Sequence, residues 1–131
     1  MKRVFLSFRA EDKPQVNGLR LLASNPNFNL EFYDESVRVE IKSSNAEYIK
    51  RVIREKISRS SVTVCLLSGL THTSEWVSWE LEESAKYRKK IICMGLPNVT
   101  GNLHLPRFNY HPPLQWYLWN IDQLHRLIAE N

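Results

Sequence analysis

The sequence predicts a single doubly wound α/β domain over residues 1–131, with a mostly parallel sheet of about five strands and helices on both faces. Three observations carry this reading. Short apolar runs alternate with amphipathic stretches along the chain. Two of those runs, "SVTVCLLS" (61–68) and "KIICMGL" (90–96), are apolar almost throughout, as strands covered on both faces are. Finally, 131 residues with 43% hydrophobic and 24% charged side chains suit one compact domain and not a disordered chain.

The elements follow in order. "RVFLSF" (3–8) is the first strand, ended by the polar "RAED". Asp12 is placed to cap a helix and Pro14 suits its first turn. Val16, Leu19, Leu22 and Ala23 then recur at helical spacing until "NPN" (25–27) breaks the pattern. "FNLEFY" (28–33) alternates like a strand. The charged stretch 34–43 is a loop, and "SNAE" (44–47) reads as a capping box. The helix that it opens carries Ala46, Ile49, Ile53 and Ile57 on one face. The buried strand 61–68 follows, then the loop "GLTHTSE", a helix from about Ser74 to Arg88, and the buried strand 90–96. "RFNY" (107–110) is expected as a short edge strand. Pro112 and Pro113 are expected to start a last helix with Leu114, Leu118, Ile121, Leu124 and Ile128 buried.

Composition removes several functions. The net charge is +4, and the basic residues are scattered without a Lys/Arg run, so no nucleic-acid partner is expected. No apolar stretch approaches the ~20 residues that span a bilayer, so no membrane partner is expected either. The apolar part of "MKRVFLSF" is too short for a signal peptide, and a cytoplasmic location is the expectation. Cys65 and Cys93 lie in apolar runs and read as core thiols. The four histidines are dispersed, and neither a metal constellation nor a glycine-rich dinucleotide motif is present.

Ligands on open α/β sheets bind beyond the carboxyl ends of the strands. Those ends are expected at Ser7–Arg9, Asp34–Ser36, Ser68–Thr73 and Gly95–Asn98. One helix brings a carboxylate there. On a helical wheel of "SEWVSWELEESAKYR" (74–88), Val77, Leu81, Ser84 and Ala85 form the core stripe. Trp76, Glu80, Glu83 and Tyr87 share the shoulder beside it, and Trp79 points elsewhere. Glu80 thus lies one turn from Trp76, near a helix N-terminus that faces the strand ends. The same residues also fit a half-buried tryptophan anchor beside a solvated carboxylate favoured by the helix dipole.

"VFLSFRAED" followed by "TSEWVSWEL" resembles the TIR (Toll/interleukin-1 receptor) domain family. Phe5, Leu6, Ser7, Phe8 and Asp12 match its opening strand, and Trp76, Glu80 and Leu81 match its tryptophan–glutamate helix. The likeness covers roughly residues 2–96 and is greatest to bacterial TIR-like proteins such as the sensor subunit of Thoeris antiphage defence. The loop 34–43 departs from the proline and glycine pattern of animal members.

The resemblance implies cleavage of the nicotinamide–ribose bond of NAD, with NAD as substrate and no bound cofactor. That cleavage builds oxocarbenium character on the ribose, which a nearby carboxylate stabilises as it develops. Nicotinamide leaves neutral, so one carboxylate suffices, and the resemblance assigns it to Glu80. Trp76 would wall the pocket and Phe8 would stack on nicotinamide. Ser7 and Arg9 would contact ribose or diphosphate, and Asp34 would orient ribose hydroxyls. The product would be ADP-ribose or a cyclic or modified form of it, serving as a signal to an effector. Self-association is expected, because such sites are often completed between subunits. Two alternatives stay open: a non-catalytic oligomerising scaffold, and an enzyme like the nucleoside deoxyribosyltransferases.

Overall fold

The computed structural model describes residues 2–23, 30–33, 41–97, 99, 103–107 and 113–130. Five parallel strands form one sheet: β1 (Lys2–Phe8), β2 (Leu30–Tyr33), β3 (Val62–Leu67), β4 (Lys90–Gly95) and the two-residue β5 (Trp116–Tyr117). Their order is β2-β1-β3-β4-β5. The helices are α1 (Lys13–Ala23), α2 (Ala46–Arg59), α3 (Glu75–Lys86) and α4 (Ile121–Ala129).

Strand alternation divides the core between the two faces. Val4, Leu6 and Phe8 of β1 point one way, with Val62, Val64, Leu66, Ile92 and Met94. They pack under Val16 and Leu19 of α1 and under Leu124 and Ile128 of α4. Phe5 points the other way and meets Ala46, Ile49, Ile53 and Ile57 of α2, as the helical spacing requires. Cys65, Leu67 and Cys93 lie on that second face under Val77 and Leu81 of α3. With both faces covered, all six residues of β3 are buried, and this explains its unbroken apolar run.

Several ends differ from the sequence expectation. No capping box forms at α2: its N-cap is Asn45, in helical conformation and without a side-chain cap bond. The amide of Ala46 instead bonds the Ser43 carbonyl in a preceding turn. Asp12 closes a short 3-10 turn (Ala10–Asp12) directly before α1, and its carboxylate accepts from Ser68 Oγ at 2.7 Å. The last helix starts at Ile121, not at Pro113. Asn120 caps it by accepting from the Gln123 amide at 2.9 Å, and that local bond sets the start. Leu118, expected in the buried stripe, is exposed. The stretch before the helix supplies the edge strand instead, because Trp116 and Tyr117 pair with Cys93 and Met94. Of the "RFNY" segment, Arg107 is irregular and 108–110 lie outside the described residues, as do Phe28 and Asn29 of the second expected strand.

α3 is bounded as its sequence suggests. Ser74 caps it, accepting from the Val77 amide at 3.2 Å. At the other end Arg88 turns left-handed at φ 57°, and the Lys89 amide reaches back to the Ser84 carbonyl at 2.9 Å.

Candidate functional site

The sheet order reverses direction between β1 and β3, where the chain first leaves β1 toward β2 and later returns to its other side. Such a switch point opens a crevice at the strand ends. The side chain of Ser7 stands there, on the α3 face, in register with Cys65, which is in turn in register with Cys93. Ser7 Oγ donates a 2.8 Å hydrogen bond to Glu80 Oε1 of α3. Both residues are 0% exposed. Glu80 is therefore a buried carboxylate tied to β1, not a solvated one at a helix shoulder. Burying such a group without partners is strongly unfavourable, so the Ser7 bond is part of what allows the placement.

The Cys65 thiol beneath it feels this arrangement. The Cys65 thiol is pushed well above its ordinary value, first by its hydrogen bond with the Cys93 side chain, then by burial and by the charges of Cys93 and Glu80. Both cysteines are free and buried. One turn further along α3, Ser84 Oγ donates to the Glu80 carbonyl at 2.8 Å and lies 2.7 Å from Thr63 Oγ1 of β3. This second polar contact fixes the height of α3 over the sheet.

The remaining expected residues scatter around this pair. Trp76 is 8% exposed and packs into the α2 cluster with Phe5, Ile49 and Ile53. Trp79 is half-buried, and its ring meets Trp76 edge-on at 5.8 Å and 87°, as residues three apart on one helix can. Lys50 and Arg54 of α2 lie 5.7 and 5.3 Å from its centroid. Phe8 is 1% exposed and lies on the opposite face of the sheet from Ser7 and Glu80, since it is the next residue along a strand. Lys13 Nζ sits 5.5 Å from its ring. Arg9 lies beyond the end of β1, 29% exposed, and pairs with Glu11 at 2.8 Å. Asp34 lies outside the described residues. The structure thus brings Ser7 and Glu80 together, sets Trp76 one turn away, and does not bring Phe8 to them.

Sequence reading missed a clasp at the same crevice. Ser68, at the end of β3, donates to Asp12, and its amide bonds Thr71 Oγ1 at 2.7 Å. Thr71 is fully buried. The clasp joins the loops after β1 and β3, and only the pairing of those strands reveals it. An open cleft of about 440 Å³ lies nearby between the first turns of α2 and α3, with Trp79 and Lys50 in its wall. A small apolar cavity lies on the other face, under Trp119. Glu80 lines neither. Among the described residues, no group of three or more His, Cys, Asp or Glu could hold a metal ion. Among them, too, no helix is long and apolar enough to cross a membrane.

The family profile described as "Thoeris protein ThsB, TIR-like domain" matches residues 5–101. The chain belongs to this family. The matched span runs from β1 past β4 and so contains both Ser7 and the tryptophan–glutamate helix. No curated protein matches the chain in sequence. Among solved structures, it is similar to the CMP N-glycosidase BcmB of Clostridium botulinum, at 14% identity and a TM-score of 0.55, over 98% of this chain and 100% of that one. It is also similar to the TIR domains of the activated Roq1 resistosome, at 23% identity and a TM-score of 0.49, over 72% of this chain and 57% of that one. At such identities the first likeness speaks for the fold. This ThsB-family chain is a TIR-like α/β domain.

Proposed function

We propose that the chain cleaves the N-glycosidic bond between nicotinamide and ribose in NAD, with Glu80 as the catalytic carboxylate, and releases a cyclic or modified ADP-ribose as a signal in antiphage defence. The observation that carries this reading is the Glu80 carboxylate, buried at the switch point and held by Ser7 at 2.8 Å. A carboxylate fixed in a water-poor site interacts more strongly with developing positive charge than one in water. The nicotinamide–ribose bond develops that charge on the ribose as it breaks. Membership of the ThsB family and the fold shared with an enzyme named as an N-glycosidase support the same class of chemistry.

Ser7 orients the carboxylate, and Trp76 walls its α2 side. Arg9, part-exposed beyond β1, is the candidate diphosphate contact, and Asp34 the candidate for ribose hydroxyls. Phe8 faces the other side of the sheet and would reach nicotinamide only from there. In the single chain Glu80 is sealed from solvent. Substrate therefore needs the crevice to open, and self-association is the proposed way to open it. An effector would read the product, within the cytoplasm.

A second reading rests on the same burial. A Ser7–Glu80 pair with no solvent access also suits a non-catalytic, oligomerising scaffold in which the pair only fastens α3 to β1. One experiment separates the two. The protein and its Glu80→Gln variant are incubated at high concentration with NAD, with CMP and with a deoxynucleoside, and products are read by mass spectrometry. Nicotinamide released by the parent and not by the variant supports the NAD reading. Release of cytosine or of a free base alone moves the substrate to nucleotides or deoxynucleosides. No product in either sample, across the concentrations at which the chain self-associates, supports the scaffold.

A further inference from the structure

We propose that the open cleft between α2 and α3 is a second ligand site, selective for a nucleoside monophosphate and separate from the buried Glu80. The inference does not rest on NAD cleavage, because neither Ser7, Trp76 nor Glu80 lines the cleft.

Its size is about 440 Å³, within the roughly 300–1,000 Å³ usual for small-molecule sites. Its inner wall is made of half-buried groups: the Trp79 indole, the Lys50 ammonium, the Ser74 and Ser78 hydroxyls and the His72 ring. None of these is a carboxylate. The indole is braced edge-on against the buried Trp76 and flanked by Lys50 and Arg54 at 5.7 and 5.3 Å from its centroid, so it is a fixed aromatic wall beside two cations. Fixed indoles stack on nucleic bases with little ordering cost. The Lys50 side chain is only 17% exposed, and the Glu47 carboxylate that pairs with it stands 3.6 Å away and is 70% exposed. A solvated carboxylate at that distance pairs weakly, and it leaves the ammonium suited to a stronger anion. His72 Nδ1 is buried and has no hydrogen-bond partner among the described residues. A buried polar atom in that state marks a place where a missing partner fits. The amino end of α3 opens here too, and its dipole favours an anion.

The rim sets the ligand class. Lys42 and Arg107 add two exposed cations, which suit a phosphate. Glu75 and Glu82 are exposed acceptors on the same rim. They disfavour a bare phosphate, but they are placed to accept from ribose hydroxyls or an exocyclic amine. An aromatic wall, a cluster of cations and two hydroxyl acceptors in one cleft match base, phosphate and sugar together.

The test is calorimetric titration of the full chain with AMP, adenosine and inorganic phosphate, repeated on Glu80→Gln, Lys50→Gln, Arg107→Gln and Trp79→Phe. Expected is saturable AMP binding, at least about tenfold tighter than adenosine or phosphate, unchanged in Glu80→Gln. Lys50→Gln and Arg107→Gln should each weaken AMP about tenfold, with unchanged thermal midpoints as the check on folding. Trp79→Phe should weaken AMP and adenosine but not phosphate. The proposal is overturned if AMP does not bind at millimolar concentration, if phosphate binds as tightly as AMP, or if the Lys50 and Arg107 variants bind AMP like the parent. It is also overturned if Glu80→Gln alone abolishes binding, since the nucleotide would then bind at Glu80. Loss of NAD cleavage in any variant leaves this result untouched.

Discussion

Replacing Ser7 by Ala removes one hydroxyl and leaves Glu80 without the 2.8 Å bond that ties it to β1. Both groups are shut off from solvent, so no water takes the hydroxyl's place. A hydrogen bond to a charged partner contributes about 1.5–3 kcal/mol, and a loss near the middle of that range, about 2 kcal/mol, is expected. For a domain of this size, 1 kcal/mol moves the thermal midpoint by roughly 3–5 °C, so Ser7→Ala should melt about 6–10 °C lower. The assay is thermal and urea unfolding at neutral pH. Ser58→Ala serves as the control, because its exposed hydroxyl only bonds a carbonyl of its own helix. That control should stay within about 0.5 kcal/mol of the parent. A cycle with Glu80→Gln should show coupling of about 1 kcal/mol, because a neutral acceptor makes the weaker bond. In the nicotinamide-release assay the misplaced carboxylate should slow turnover about 10–100-fold. Ser7→Ala as stable as the Ser58 control, with no coupling to Glu80, would refute the claim that Ser7 holds the carboxylate.

Other outcomes follow from the packing. Ile53→Ala, at the fully buried centre of the α2 face, should cost about 2–5 kcal/mol in urea unfolding without altering the α4 side of the sheet. Arg88→Gly should stabilise the chain by about 0.5–1 kcal/mol, because Arg88 sits at φ 57° where glycine is unstrained; an unchanged urea midpoint would count against that C-cap geometry. The Cys65 thiol is raised in the folded chain, so the unfolded chain loses its thiol proton first as pH rises. The thiol's stabilising contribution is therefore complete below about pH 8.5 and declines above it, and Cys65→Ala should flatten that decline in unfolding measured from pH 7 to 10. Native Cys65 and Cys93 should resist alkylation that proceeds readily in urea.

Local pattern settled much of this protein. The β-branched run 61–68 and the spacing of Ile49, Ile53 and Ile57 fix a strand and a helix whatever surrounds them, because burial on one stripe or on both faces requires those periods. The cap at Ser74 and the pairing of Trp76 with Glu80 on one side of α3 are also local, set by helical geometry. Contacts made across the sheet are not. Ser7 meets Glu80 and sits beside Cys65 only because β1 and β3 pair in one register; a shift of one residue would have sent Phe8 there instead. Trp79 is half-buried because Lys50 and Arg54 of α2 lie against its ring, and the wheel of a single helix contains no neighbour. Trp116 and Tyr117 form a strand because β4 offers a free edge, although the two prolines before them read as the start of a helix. The sequence by itself determined the elements up to β4, the layers and the candidate carboxylate. Tertiary structure decided which face each side chain serves, and whether Glu80 is solvated or sealed, because burial is a property of what comes to lie on top.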